Sequence, residues 1–207
     1  DTGKVWGFYP ELDIKNELRY EPNDPFYTSG DQWYLSNNGQ DDGNSGIDIN
    51  PQSAWESYAG DGINIGIIDD GIDYTNPDLS PNFVNSLSYD YCDDDSDVAP
   101  LDSDTDGEID WHGTAVAGIA SAKGNNSLGI SGVSYNSSIV GIRLVADSCT
   151  SPFTMDESEA YSLNHRLDVM DIYANSWGPS DDGNLLGEIG PLALSALEEG
   201  VSEGRDG

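Results

Sequence analysis

INIGIIDDGI, residues 63–72, is apolar for six positions apart from Asn64 and then sets two aspartates side by side before a glycine. The run has the length of one strand and no polar face, the pattern of a strand buried on both sides of a sheet. Ending such a strand on Asp69 and Asp70 is costly unless each carboxylate finds hydrogen bonds or a positive partner. The doublet therefore bears on chemistry as much as on fold.

Outward from this strand, apolar runs of strand length alternate with segments of helical period. TAVAGIASAKG (114–124) predicts a helix whose small residues, Ala115, Ala117, Gly118, Ala120 and Ala122, permit close packing. SSIVGIRLV (137–145) and DIYANSW (171–177) predict two more strands. A helix over 156–168 lies between them behind a capping box formed by Thr154 and Glu157. GPLALSALEEGVSEG (190–204) predicts a last helix, with Pro191 in its first turn and a glycine at its end. The alternation predicts an α/β fold of three layers, a mostly parallel sheet with helices on both faces. Sites in such sheets form at the carboxyl ends of strands, where the doublet lies. Residues 1–30, ending in the turn-rich stretch YEPNDPFYTSGDQWYL (20–35), are expected to be an extended arm around a body formed by 31–207.

A chain of 207 residues with 36% hydrophobic and 10% aromatic content suits one domain with a real core. Seven basic against 39 acidic residues give 7 − 39 = −32, which argues against nucleic acid or an anionic membrane as partner. Bound divalent cations, basic substrates or a salt-adapted surface remain. The acids crowd into YCDDDSDVAPLDSDTDGEID (91–110) and WGPSDDG (177–183), and crowded carboxylates repel unless something positive sits between them. No apolar run approaches the roughly 20 residues of a membrane helix, so membrane insertion is not expected. A sequence opening at Asp1 rather than methionine is expected to be a processed or trimmed chain. Cys92 and Cys149 are too few for a disulfide scaffold and too far apart for a CxxC site; one bridge and two free thiols are equally compatible with the sequence.

The chain has two histidines. His112 opens HGTAVAGIAS at the start of the small-residue helix, with Gly113 permitting close backbone approach; His165, within SLNHRLD, is expected on a helix surface without a role. An aspartate at a strand end and a histidine at a helix start suit a base whose imidazole is oriented by a buried carboxylate. Spacing alone does not separate that arrangement from two unrelated caps.

IIDDGIDYTNPDL and HGTAVAGIASAKGNNSLGISGVSYNSSIVGIRL resemble the aspartate and histidine motifs of the subtilisin-like serine proteases, in that family's order. Asp-Asp-Gly at 69–71, DQWYLSN at 31–37, IYANSWGPSDDG at 172–183 and the terminal EEGVSEGRDG narrow the resemblance to the kexin and furin branch. It covers nearly all of the chain from about residue 24. The resemblance implies that Asp69 orients the imidazole, that His112 is the general base and acid, and that Asp70 lines the region just beyond the scissile bond. It places Trp177 and Gly178 in the substrate-binding strand motif and Asp181 at the base of the first pocket for a basic side chain. Asp110 falls near the second pocket, and Asp156 and Glu159 match positions that recognise a basic side chain further upstream. Position 180 is serine where an acid is common in that branch, which weakens the implied dibasic preference.

The same resemblance implies calcium, and oxygen-only clusters that no histidine or thiolate cluster accompanies suit Ca2+ better than zinc. Asp90, Asp95 and Asp97 match one calcium site. Asp78, the Asn126 side chain and the carbonyls of Leu128 and Ile130 match another, completed by an arm residue for which Asp24 and Asp31 both qualify. LDSDTDGEID (101–110) lacks a complete EF-hand register and is expected to be solvated or at most a weak ion site.

The Ser-Gly-Asn-Gly and Gly-Thr-Ser stretches that supply the oxyanion-hole asparagine and the nucleophile in this family do not occur, and Ser131, Ser134 and Ser176 stand in other contexts. The expectation is therefore the first part of a catalytic domain, its sheet incomplete and the chain inactive alone, with a second chain or a continuation carrying the serine. The expected whole is a secreted or extracytoplasmic, calcium-dependent endopeptidase cutting polypeptides after basic residues. The rivals are a catalytically incomplete calcium- or peptide-binding pseudoenzyme fragment and an acidic module whose carboxylates serve only hydration in salt.

Overall fold

The computed structural model describes residues 20–101, 110–146, 149–178, 183 and 187–206. The INIGII run forms β1 (Asn64–Asp69) inside a four-stranded sheet ordered β2-β3-β1-β4, with β2 (Tyr89–Asp90), β3 (Ser138–Arg143) and β4 (Ile172–Asn175). All pairings are parallel, with Asn64 opposite Ser138 through Asp69 opposite Arg143, and Ile65 opposite Ile172 through Ile68 opposite Asn175.

Alternation along β1 builds the two faces of the core. Ile65 and Ile67 pack with Ile139, Leu79 and Ala117 under α3 (His112–Ser121). Ile68 packs with Val140, Ile142 and Met170 on the other face, where Leu163 brings in α4 (Met155–Leu163). Gly66 belongs to that second face: a Cβ there would meet the Met170 methyl at 2.8 Å. α5 (Pro191–Glu203) packs on α4. Helices thus cover both faces. The chain reaches β3 on one side of β1 and β4 on the other, which opens a crevice at the carboxyl end of β1, the place such sheets use for ligands.

Local structure departs from expectation where contacts between distant segments decide it. α3 begins at His112, two residues before the predicted start, because the Asp70 carboxylate receives the His112 and Gly113 backbone N–H groups. α4 has the expected capping box at Thr154 and Glu157, but it ends at Leu163 rather than 168. His165 is consequently neither in a helix nor a free surface group. The chain turns there, Arg166 taking a φ of 54°, and the ring is held between the Tyr91 hydroxyl at 3.0 Å and the Leu87 carbonyl at 2.6 Å. Burial pushes its pKa below the ordinary histidine value.

The described part of the expected arm holds local structure of its own. Pro25–Thr28 form a helical turn, α1, and Tyr20 stacks on Tyr135 at 5.0 Å and meets Trp55 edge-on. Trp55 ends a second helical turn, α2 (Gln52–Trp55), and donates its indole N–H to the Val133 carbonyl at 2.8 Å. Residues 1–19 of the arm and 102–109 of the acidic stretch lie outside the described residues. Cys92 and Cys149 form a disulfide. Among the described residues no helix is long and apolar enough to cross a membrane.

Candidate active site

Asp69 ends β1 with its side chain almost fully buried, and its Oδ1 lies 2.8 Å from Nδ1 of His112 at the first position of α3. The ring N–H at Nδ1 donates to the carboxylate, which fixes the tautomer and leaves Nε2 as the basic nitrogen. The bond to Asp69 raises the His112 pKa above the ordinary histidine value, and partial burial opposes it. Among the described residues no hydroxyl hydrogen-bonds to Nε2.

Gly113 makes the approach possible. A Cβ there would lie 2.4 Å from the Gly71 carbonyl oxygen and 2.8 Å from the Asp69 Cβ, so the helix start sits against the strand end with no room for a side chain. Gly71 itself has a φ of 138° and its missing Cβ would meet Pro100 at 2.9 Å. The glycines flanking the two motifs are thus the contact surface between them.

A cavity of about 910 Å³ opens beside this pair. Asp69, Asp70, His112, Glu159, Trp177 and Glu188 are among its walls. Trp177 is fixed by donating its indole N–H to the Ile68 carbonyl at 2.9 Å, and Gly178 follows it along the rim. Burial, and then Asp156 nearby, push the Glu159 carboxyl up, so a cation entering the cavity would be favoured there.

The other residues expected to meet substrate fall differently. The Asp70 carboxylate accepts from the Gly113 N–H at 2.7 Å and the His112 N–H at 3.0 Å, so it caps α3 while bordering the cavity. Burial pushes its pKa up against those two bonds, with Asp69 and Asp110 adding to the rise. Asp110 therefore stands near the doublet but is not among the cavity walls. Asp156 is not among the cavity walls: its carboxylate accepts from the Leu192 and Ala193 N–H groups at 3.0–3.2 Å, capping α5. Asp181 lies outside the described residues. Glu188 is a cavity wall the sequence did not single out, since one glutamate in so acidic a chain gives no signal.

Of the two calcium sets, one has the chemistry of a cation site. Asp24 is fully buried and, among the described residues, accepts only the Asn125 and Asn126 backbone N–H groups; Asp78 is 8% exposed and among the same residues accepts only from the Asn126 amide and the Ile130 N–H. Among the described residues neither has an ion-pair partner. Two buried carboxylates that grip one loop, residues 125–130, with neutral donors alone among the described residues fit a divalent cation. A Cβ at Gly129 would fall 2.3 Å from Asp78 Oδ2, so the loop closes on that carboxylate only through a glycine. Asp31 instead is exposed and accepts from the Ser29 hydroxyl at 2.5 Å.

The other set fits less well. Asp90 accepts from Arg143 at 2.8 Å and from the Cys92 and Asp93 N–H groups, so its burial, which raises its pKa, is already offset by a guanidinium. Asp95 accepts from the Asp97 N–H, and Asp97 from the Tyr74 hydroxyl and the Ala99 N–H. Among the described residues no three acidic, histidine or cysteine side chains converge as a metal cluster. Sequence reasoning missed Arg143; the available signal was an arginine ending an apolar strand in a chain with only seven basic residues.

The model of the subtilase family of peptidases matches residues 60–204. Neuroendocrine convertase 2 of Homo sapiens is 44% identical over 193 residues, covering 93% of this chain and 29% of the relative. PC3-like endoprotease variant B of Hydra vulgaris is 43% identical over 186 residues, covering 89% of this chain and 25% of the relative. The chain thus spans less than a third of the curated relatives it matches. A solved protease from Pseudoalteromonas arctica superposes with a TM-score of 0.66 at 22% identity, over 88% of this chain and 56% of the other, a likeness of fold.

Proposed function

The chain belongs to the subtilase family, and we propose that it forms the first part of the catalytic domain of a secreted, calcium-stabilised serine endopeptidase of kexin type that cuts after basic residues. The observation that carries this reading is the Asp69–His112 hydrogen bond of 2.8 Å beside an acid-walled cavity. In the proposed reaction His112 Nε2 takes the proton of a serine hydroxyl as that oxygen attacks the scissile carbonyl, and returns it to the leaving amine. Asp69 holds the ring orientation and stabilises the imidazolium formed in between. The serine lies outside these 207 residues, on a continuation or a second chain.

Recognition of a basic side chain is supported by the cavity, where Glu159 and Glu188 have no cation of their own among the described ion pairs. A lysine or arginine of the substrate supplies that charge, and a guanidinium does so with matched geometry. Calcium would be held by Asp24, Asp78 and Asn126 and would supply the positive charge that the two buried carboxylates lack. The disulfide supports an oxidising, extracytoplasmic setting.

Fluorophosphonate labelling of the whole protein tests the reading. A label on the polypeptide carrying the serine, lost in His112→Ala, together with preferential hydrolysis of arginyl over glutamyl peptides, is the expected result. A protein that takes no label, with or without calcium, is instead the pseudoenzyme.

A further inference from the structure

We propose that Asp70 and Arg143 are positioning residues which clamp the start of α3 to the end of β1 and so set the distance between Asp69 and His112. Asp70 commits every polar group it has inside the protein. Its N–H donates to Asp69 Oδ1 at 2.9 Å, and its two carboxylate oxygens take the His112 and Gly113 N–H groups at 3.0 and 2.7 Å. Its carbonyl takes the Arg143 Nε–H at 3.1 Å. One residue therefore touches the carboxylate of the pair, the backbone of its imidazole and the neighbouring strand. A negative charge at the amino end of α3 is also where the helix dipole favours one.

Arg143 is itself fixed from the far side. It is 1% exposed, it pairs in register with Asp69, and its Nη1 lies 2.8 Å from both Asp90 and Asp93. Asp93 is steadied in turn by the Thr150 hydroxyl at 2.6 Å. The fork of a guanidinium lets Nε grip a carbonyl while a terminal nitrogen serves two carboxylates; a single ammonium cannot span both. Asp90 and Asp93 thus bear on the pair through Arg143 and Asp70.

This inference rests on taking Asp69 and His112 as the acid–base pair, but its test does not depend on activity. Among the described residues the titratable groups around the His112 ring are Asp69 at the end of β1 and Asp70 just after it, with Glu159 and Glu188 in the walls of the same cavity. With only two histidines, the His112 ring titration is readable by NMR in the whole chain. Arg143→Lys keeps the charge, so a purely electrostatic arginine would leave the His112 pKa unmoved; positioning predicts a fall of about half a pH unit or more. Arg143→Gln separates the two by sign, since loss of a nearby cation raises a histidine pKa whereas a loosened hydrogen bond lowers it. An unmoved value in the first variant with a raised value in the second overturns the proposal. If either variant fails to fold, amide exchange in the native protein decides: the His112 and Gly113 N–H groups should be protected to the level of β1, and free exchange at both within a folded sheet overturns the clamp. Fluorophosphonate labelling enters none of these outcomes, so the clamp and the protease reading fail separately.

Discussion

His112 Nδ1 lies 2.8 Å from Asp69 Oδ1 although 43 positions separate the two residues. The contact joins the end of a central strand to the start of a helix on one face of the sheet, and each residue depends on the other element for its place.

Stability should carry the signature of that bond. His112 has a folded pKa above its unfolded value, so the stabilisation is fully present below about pH 6.5 and is lost as pH rises through the folded value. Its side chain is 57% exposed, which keeps the contribution small. In Asp69→Asn the His112 pKa should fall toward the ordinary value and the pH dependence of Tm across this window should flatten. In the whole protein the same change should lower kcat roughly 10³–10⁴-fold, measured on a basic peptide.

Gly113→Ala should separate the two motifs while leaving the Asp69 carboxylate and the His112 imidazole chemically unchanged. The added methyl meets the Gly71 carbonyl at 2.4 Å and the Asp69 Cβ at 2.8 Å, both parts of the rigid strand end. The expected outcome is a loss of about 1–3 kcal/mol in urea unfolding and a His112 titration shifted back toward the ordinary value.

Chelation should lower Tm by several degrees, and calcium should restore it better than magnesium, whose small octahedral shell suits a preformed oxygen loop poorly. Saturation at about 100 times Kd would correspond to roughly 2.7 kcal/mol. Asp78→Asn should abolish the response because it removes one of the two buried carboxylates that grip the 125–130 loop. A melting curve indifferent to chelator would remove calcium from the proposed function.

Reduction of the Cys92–Cys149 bridge closes off a different source of stability. The bridge spans 57 positions, and releasing a loop of that length should cost about 2–4 kcal/mol, read as a lower urea midpoint in dithiothreitol. Thr150 beside Cys149 holds Asp93, so the Asp93–Arg143 pair should weaken in the same experiment.

Much of the molecule was legible in sequence order. The isoleucine run, the small-residue helix and the capping box at Thr154 are local patterns, set by side-chain periodicity and by groups within one turn of each other. The motifs around Asp69 and His112 were legible for the same reason, since the glycines each requires are its sequence neighbours. The short elements β2, α1 and α2 span too few residues to show any period.

What the tertiary structure alone decided was the direction of each charge. Asp70 and Asp156 looked alike as acids near a substrate path, yet each caps a helix brought to it by the fold: α3 arrives 42 positions after Asp70, and the Leu192 N–H of α5 lies 36 after Asp156. His165 turned inward and Arg143 became a buried strut because the loop around residue 90 folds against both. A carboxylate or guanidinium leaves water only where its partners are already assembled, and those partners come from distant segments. Periodicity could therefore specify strands, helices and the two motifs, whereas the partner of each buried charge was fixed only when the sheet brought those segments together.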